Sequence, residues 1–149
     1  MDDLVLEPSS DEDFRWLLGE GPATRALDVA PDLAPPGVLE IVRQLPFNWL
    51  VIVAGELVGL IGLKTEESPG EVEIGYGVAA SREGRGFASA AVAALLPVLH
   101  ARGVRLATAE TSVENPASQR VLERNGFSRV GERIDEEDGP LYLWQRSLI

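Results

Sequence analysis

The chain has 149 residues and a net charge of −11, from 24 acidic and 13 basic side chains. Hydrophobic residues make up 45% and charged residues 25%, as in a folded globular protein and unlike a disordered chain. This negative charge repels nucleic acid phosphate and attracts cations such as amines, although an acidic surface also serves solubility alone. With no cysteine in the sequence, disulfides, thiolate metal ligands and an acyl-cysteine intermediate are excluded.

The first half of the chain predicts strands and helices in alternation, with one irregular stretch. No apolar run reaches the ~18 residues of a membrane span, and the start Met1-Asp2-Asp3 is unlike a basic secretory leader, so we expect a cytoplasmic protein with no membrane partner. The patterns predict strands at 4–7, 47–54, 57–63 and 71–78, helices from the caps at 9–10 through 18 and at 38–45, and irregular chain at 30–37. The turn Gly55-Glu56 joins two of these strands as a hairpin.

The second half predicts two more helices and three more strands. The helices are 87–102 and 116–124, and the strands are 104–111, 127–134 and 141–148, the last two joined by the loop 135–140. The only histidine, His100, falls late in a helix, where a cation is favourable, so we expect it to be structural. The whole pattern predicts one α+β (mixed α/β) domain over residues 1–149.

The loop Ser-Arg-Glu-Gly-Arg-Gly at residues 81–86 is a candidate phosphate site. A turn from a strand into a helix presents backbone N–H groups and the positive end of the helix dipole to a ligand. Gly84 and Gly86 would let a pyrophosphate approach the backbone closely. Glycines serve any tight turn equally well, so this loop alone leaves both interpretations open. It is neither a Walker loop nor a Gly-x-Gly-x-x-Gly dinucleotide motif.

A second informative segment spans residues 110–127. Asn115 lies at a strand-to-helix turn, where its amide can bond either the helix end or a ligand. Ser118 lies in the first helical turn, facing either the same cleft or solvent. Capping for Asn115 and a surface position for Ser118 are the simpler interpretations.

Together the two segments resemble the GNAT superfamily of N-acetyltransferases. Arg-Glu-Gly-Arg-Gly-Phe-Ala precedes one helix, Glu-Asn-Pro-Ala-Ser begins the next, and Arg-Asn-Gly-Phe precedes the final strands. The branch it resembles contains the ribosomal-protein N-terminal-alanine acetyltransferases, and the resemblance is strongest over residues 71–127. It implies a central, mostly antiparallel sheet of about seven strands, with a splay between the fourth and fifth, flanked by about four helices.

The resemblance further implies that acetyl-CoA is the co-substrate, with no metal. The pantetheine arm would lie between residues 76–78 and 107–109, with the pyrophosphate on the amides of residues 84–88. The expected cofactor-binding residues are Tyr76, Gly77, Val78, Arg82, Gly84, Arg85, Gly86, Phe87, Ala88, Ser89, Asn115 and Ser118. Glu83 departs from the family pattern, which has Gln or Arg there, so Arg82 and Arg85 are the expected positive charges.

Catalysis in such an enzyme requires a base for the ammonium group and an acid for the leaving thiolate. The resemblance points to Glu73 and Glu110 as candidate bases, and a carboxylate whose pKa is raised by partial burial would suit that role. The alternative is that each glutamate only pairs with a neighbouring arginine. Ser118 matches the serine proposed as acid in the alanine-acetylating branch, and water is the alternative donor.

The expected function is direct transfer of an acetyl group from acetyl-CoA to a primary amine, on a small molecule or a protein N-terminus, with a homodimer possible. The alternative is a non-catalytic acyl-CoA sensor. In the family, residues 22–46 and the final hairpin loop shape the acceptor pocket. Acids crowd that loop and would attract a cationic acceptor or only solvate the turn; they are Glu132, Asp135, Glu136, Glu137 and Asp138.

Overall fold

The computed structural model describes residues 3–65 and 70–149, within which the chain forms eight strands and four α-helices. The strands are β1 (Leu4–Pro8), β2 (Asp28–Val29), β3 (Phe47–Val53), β4 (Glu56–Leu63), β5 (Glu71–Val78), β6 (Leu106–Ser112), β7 (Ser128–Asp135) and β8 (Gly139–Ser147). The helices are α1 (Asp11–Leu17), α2 (Pro36–Arg43), α3 (Phe87–Ala101) and α4 (Pro116–Arg124), and one 3₁₀ turn spans Ala80–Arg82. None of the helices in the described ranges has the length and apolar character to cross a membrane.

The strands form one sheet in the order β1-β3-β4-β5-β6-β8-β7. Neighbours along this path are antiparallel except β5 and β6, so the predicted mostly antiparallel sheet and its four helices are confirmed. The strand missed by the sequence analysis is β2, a two-residue parallel partner of β4. So short a strand has no alternating pattern of its own.

The sheet is covered on both faces. One face packs on α3 and α4 through a core that includes Val72, Ile74, Leu95 and Leu122. The other packs on α1 and α2 through a smaller core that includes Phe14, Leu39, Leu50 and Leu60. Along β5, therefore, Val72, Ile74 and Tyr76 face α3, while Glu73, Gly75 and Gly77 face the side of α2.

The β3–β4 turn and the start of α2 differ from the sequence prediction. The β3–β4 turn is centred on Ala54 and Gly55, which have φ of 49° and 79°, rather than on Gly55 and Glu56. Two left-handed residues give the turn whose twist matches that of a hairpin. Helix α2 begins at Pro36, inside the stretch expected to be irregular, because proline is favourable in the first turn of a helix.

A buried ion pair fixes α1 against the following loop. Asp13 accepts hydrogen bonds from Arg25 Nε at 3.1 Å and Nη2 at 3.0 Å, and from the hydroxyl of Thr24. Burial alone would raise the pKa of Asp13, but the bonds from Arg25, Thr24 and the Ser10 amide outweigh it and lower the pKa to about 2. On the exposed side, Arg43 ties α2 to α1 through Asp11.

Candidate active site

The two central parallel strands diverge, as expected for the splay. β5 and β6 pair only at Glu71–Leu106, Val72–Ala107 and Glu73–Thr108. From Ile74 onward, the described residues of β5 have no strand partner on this side, so the edge Tyr76–Val78 is open. Ala107 and Thr108 lie in the closed part of the ladder. The opening on β6 therefore begins only at Ala109, which corrects the expectation that it includes Ala107.

The loop after β5 presents unused backbone N–H groups to the opening. Gly84 and Gly86 have φ of 78° and 80°, a conformation that glycine adopts without strain. The first intrahelical bond of α3 runs from Ala90 N to Gly86 O, so the amides of residues 87–89 point out of the helix end. Gly86 as N-cap supplies no side chain to cover them. This helix end is suited to an anion.

A cleft of about 540 Å³ joins the open strand edge to this loop. It contains every expected cofactor-binding residue except Arg85, which is exposed outside the lining. The expected residues in the lining are Tyr76, Gly77, Val78, Arg82, Gly84, Gly86, Phe87, Ala88, Ser89, Asn115 and Ser118. Sequence reasoning also missed Ala117, Val121 and two arginines of α4.

The positive charge of the cleft comes from a different element than expected. Arg82 binds Glu56 at 2.7 and 2.8 Å, so its charge is largely neutralised. Arg120 and Arg124, one helical turn apart on α4, both line the cleft. Their four-residue spacing places both on one face of α4, the face that also carries Ala117 of the cleft lining. Glu83, the departure from the family pattern, also lines the cleft.

Tyr76 and Ser118 form a hydroxyl pair inside the cleft. Tyr76 Oη lies 2.8 Å from Ser118 Oγ, and it also donates to the Ser118 carbonyl at 3.2 Å. Burial raises the pKa of Tyr76, opposed by the bond to Ser118, so the phenol stays protonated at neutral pH. Asn115 is the N-cap of α4, and its Oδ1 accepts a hydrogen bond from the Ser118 amide at 3.2 Å. The capping role expected for Asn115 is therefore present. Asn115 also lines the cleft.

Both candidate bases lie in ion pairs. Glu73 contacts Lys64 at 2.9 Å, and Glu110 binds Arg133 in bidentate fashion, with the bond from Nη2 at 2.9 Å. The hydrogen bonds from Arg133 lower the pKa of Glu110 despite its partial burial. The expectation of a raised pKa is therefore wrong for Glu110, because Arg133, on a strand two places away in the sheet, was not foreseen as its partner.

The acidic turn between β7 and β8 is partly occupied by its own contacts. Asp135 accepts hydrogen bonds from the amides of Glu137 at 3.1 Å and Asp138 at 3.0 Å, and it contacts Arg133 at 3.3 Å. None of the five acids of this turn lines the cleft described above. In the described part of the chain, no group of three His, Asp or Glu side chains is arranged to hold a metal ion.

Comparison with known proteins gives one family. An acetyltransferase (GNAT) domain model matches residues 3–128. No curated protein sequence matches at a significant level. Among solved structures, a spermidine N-acetyltransferase SpeG chimera from Vibrio cholerae and hSSAT has a TM-score of 0.74 at 18% identity, covering 97% of this chain and 95% of that one.

Two further structures share the fold. RimL, the ribosomal L7/L12 alpha-N-protein acetyltransferase in complex with coenzyme A, has a TM-score of 0.72 at 20% identity, covering 97% of this chain and 93% of its own. AAC(6')-Ib, in complex with paromomycin and acetyl-CoA, has a TM-score of 0.72 at 20% identity, with 98% and 94% covered. The family match, the splayed strands and the unused amides at the start of α3 agree, and the chain therefore belongs to the GNAT family as an acetyl-CoA-dependent N-acetyltransferase.

Proposed function

We propose that the chain is one domain over residues 1–149 that transfers the acetyl group of acetyl-CoA directly to a primary amine. In this proposal Glu110 is the general base and the Tyr76–Ser118 hydroxyl pair is the proton donor. The observation that carries this proposal is the divergence of β5 and β6 beside a cleft that ends in unused helix amides. The solved neighbours named for spermidine, for paromomycin and for a ribosomal protein support an amine as acceptor.

The cleft residues suit the parts of acetyl-CoA. The amides at the start of α3 would bind the pyrophosphate, helped by the positive end of the helix dipole and by Arg120 and Arg124. The unpaired edge of Tyr76–Val78 offers backbone groups to an extended amide-containing arm. Backbone donors near Val78 would also polarise the thioester carbonyl.

Position favours Glu110 over Glu73 as the base. Glu73 belongs to the last closed pair of the β5–β6 ladder, whereas Glu110 lies two residues beyond it on the same face, where the strands have separated. Its side chain is 16% exposed, so it is shielded but reachable. Arg133, with 45% of its side chain exposed, can turn towards solvent when an ammonium group replaces it.

The proton transfers then balance. Glu110 takes a proton from the ammonium group, the amine nitrogen bonds to the acetyl carbon, and the carbon–sulfur bond breaks. The hydroxyl pair supplies the proton that the departing thiolate needs. Tyr76 suits this role because it is protonated and because Ser118, its partner, is part of the cleft wall.

The matched variants Glu110→Gln and Glu73→Gln test the assignment. Loss of the base should lower turnover by roughly 10²–10⁴-fold in Glu110→Gln, with near-normal acetyl-CoA affinity and a smaller loss at high pH, where more amine is already neutral. Glu73→Gln should stay within a few fold of the parent. The reverse order would make Glu73 the base, and near-normal rates in both would leave no role for either carboxylate.

A further inference from the structure

A second cleft, of about 590 Å³, lies between α2 and the strands β4 and β5. We call it the α2 groove; its walls are residues 32–45 and its floor is the paired strands. Tyr76, Gly77, Val78 and Glu83 line both the α2 groove and the acetyl-CoA cleft. A molecule in the groove would thus share a wall with the open strand edge at which acetyl transfer takes place.

Gly77 leaves part of the floor of the α2 groove without a side chain. Gly62 on β4 lies opposite Gly75 on β5, and Leu60 lies opposite Gly77. A Cβ placed on Gly77 would find no other heavy atom of the described residues within 4 Å. The floor is therefore open at Gly77, whereas a Cβ on Gly62 would meet Leu45 at 3.0 Å and one on Gly75 would meet Lys64 at 3.0 Å.

Helix α2 presents apolar side chains to the groove as well as to the core. Leu39 is buried with Phe14 and Leu50 under the helix. Val38 and Ile41, spaced three residues apart, line the groove and are 44% and 66% exposed. Leu45 continues the same line just past the helix end. An exposed apolar stripe of this kind beside a cavity is typical of a ligand site.

The charges of the groove do not suit a polycation. Its charged lining residues are Asp32, Lys64 and Glu83. Asp32 accepts hydrogen bonds from the amide and hydroxyl of Ser81, and Lys64 is itself a cation, paired with Glu73. A chain with several ammonium groups would therefore lie mostly against apolar walls, at a high desolvation cost.

The floor does not suit an extended peptide either. β4 and β5 are hydrogen-bonded to each other along Leu60–Gly77 and Gly62–Gly75, so their backbone groups on the floor are already used. A peptide in the groove would have no strand edge with which to pair, although pairing of that kind supplies much of the affinity in strand addition.

We propose that the acceptor is a small primary amine carried on an apolar body of aryl or branched-alkyl size. The body would fill the α2 groove between Ile41 and the open floor at Gly77, and the amine would reach the wall shared with acetyl-CoA. This inference rests on the proposed acetyl transfer and adds the chemical class of the acceptor. Contacts to the unreacting body would position the nitrogen for attack.

A panel of acceptors at saturating acetyl-CoA tests the class. 2-Phenylethylamine should show a kcat/KM at least tenfold above that of spermidine and above that of a short peptide with an apolar N-terminal residue. An equal or better result with spermidine or the peptide would overturn the inference and leave the proposed acetyl transfer standing. If no amine of the panel releases CoA, the proposed transfer fails and the inference fails with it.

Ile41→Ser tests the groove itself. Loss of two or three buried carbon contacts should raise the KM for 2-phenylethylamine by about tenfold and leave that for acetyl-CoA unchanged. Ethylamine, which has no body to bind, should be little affected. Ile134→Ser is the matched control, because Ile134 is 82% exposed and lines neither cleft. Equal KM values for 2-phenylethylamine in both variants, at equal melting temperatures, would contradict the proposal.

Discussion

Asp13→Asn should destabilise the fold in a pH-dependent way. Asp13 lies on α1, and 2% of its side chain is exposed. Its carboxylate accepts bonds from Arg25 and Thr24 and from the amide of Ser10, and these bonds hold α1 against the loop that follows it. Asparagine keeps the shape of the side chain and removes the charge.

The magnitude follows from the pKa of Asp13. The folded value is about 2, against an ordinary value of 3.8. At about 1.4 kcal/mol per pKa unit, this difference contributes about 2 kcal/mol to the free energy of unfolding at neutral pH. Because the folded pKa is the lower one, the contribution is complete above roughly pH 5 and is lost as the pH falls through 3.8 towards 2.

Urea unfolding of both proteins at several pH values measures this contribution. The stability gap between the parent and Asp13→Asn should be about 2 kcal/mol at pH 7 and should shrink steadily below pH 4. Asp28→Asn, at an exposed position, should change stability by at most about 0.5 kcal/mol. A gap that is absent at pH 7, or one that persists unchanged at pH 3, would refute the argument.

Two predictions concern the acetyl-CoA cleft. Tyr76→Phe removes the hydroxyl that pairs with Ser118 and should lower turnover by about 10²-fold, with the KM for acetyl-CoA unchanged. Steady-state rates near the parent value would show that water supplies the proton. Glu83→Gln removes a negative charge near the start of α3 and should tighten acetyl-CoA binding roughly two- to fivefold, measured by calorimetry at low salt. Unchanged affinity would mean that the Glu83 side chain points to solvent.

Local patterns predicted most of the fold. The apolar, β-branched runs of β3 and β4 and the glycines that flank α3 are signals that a strand or helix carries in its own residues. The tight turn at residues 81–86 was equally visible, because positive φ at Gly84 and Gly86 favours a residue type that the sequence shows directly. The splay came from the family resemblance and not from any local pattern.

Partners brought together by the sheet could not be predicted in this way. Tyr76 and Ser118 are 42 residues apart in the chain, and Glu110 and Arg133 are 23 apart. Which side chains meet depends on strand order, and β8 lies between the strands of Glu110 and Arg133. The α2 groove is similar, since the open part of its floor results from the register that places Gly77 opposite Leu60.

The most direct test of direct acetyl transfer is the initial-rate pattern of CoA release with acetyl-CoA and an amine both varied. Transfer within a ternary complex predicts double-reciprocal lines that intersect, together with an acetylated amine formed in equal amount to the CoA. Parallel lines would indicate an acetylated enzyme intermediate and contradict the account. Stabilisation of the fold by acetyl-CoA without CoA release to any amine would contradict it as well, and would favour a sensor of acyl-CoA.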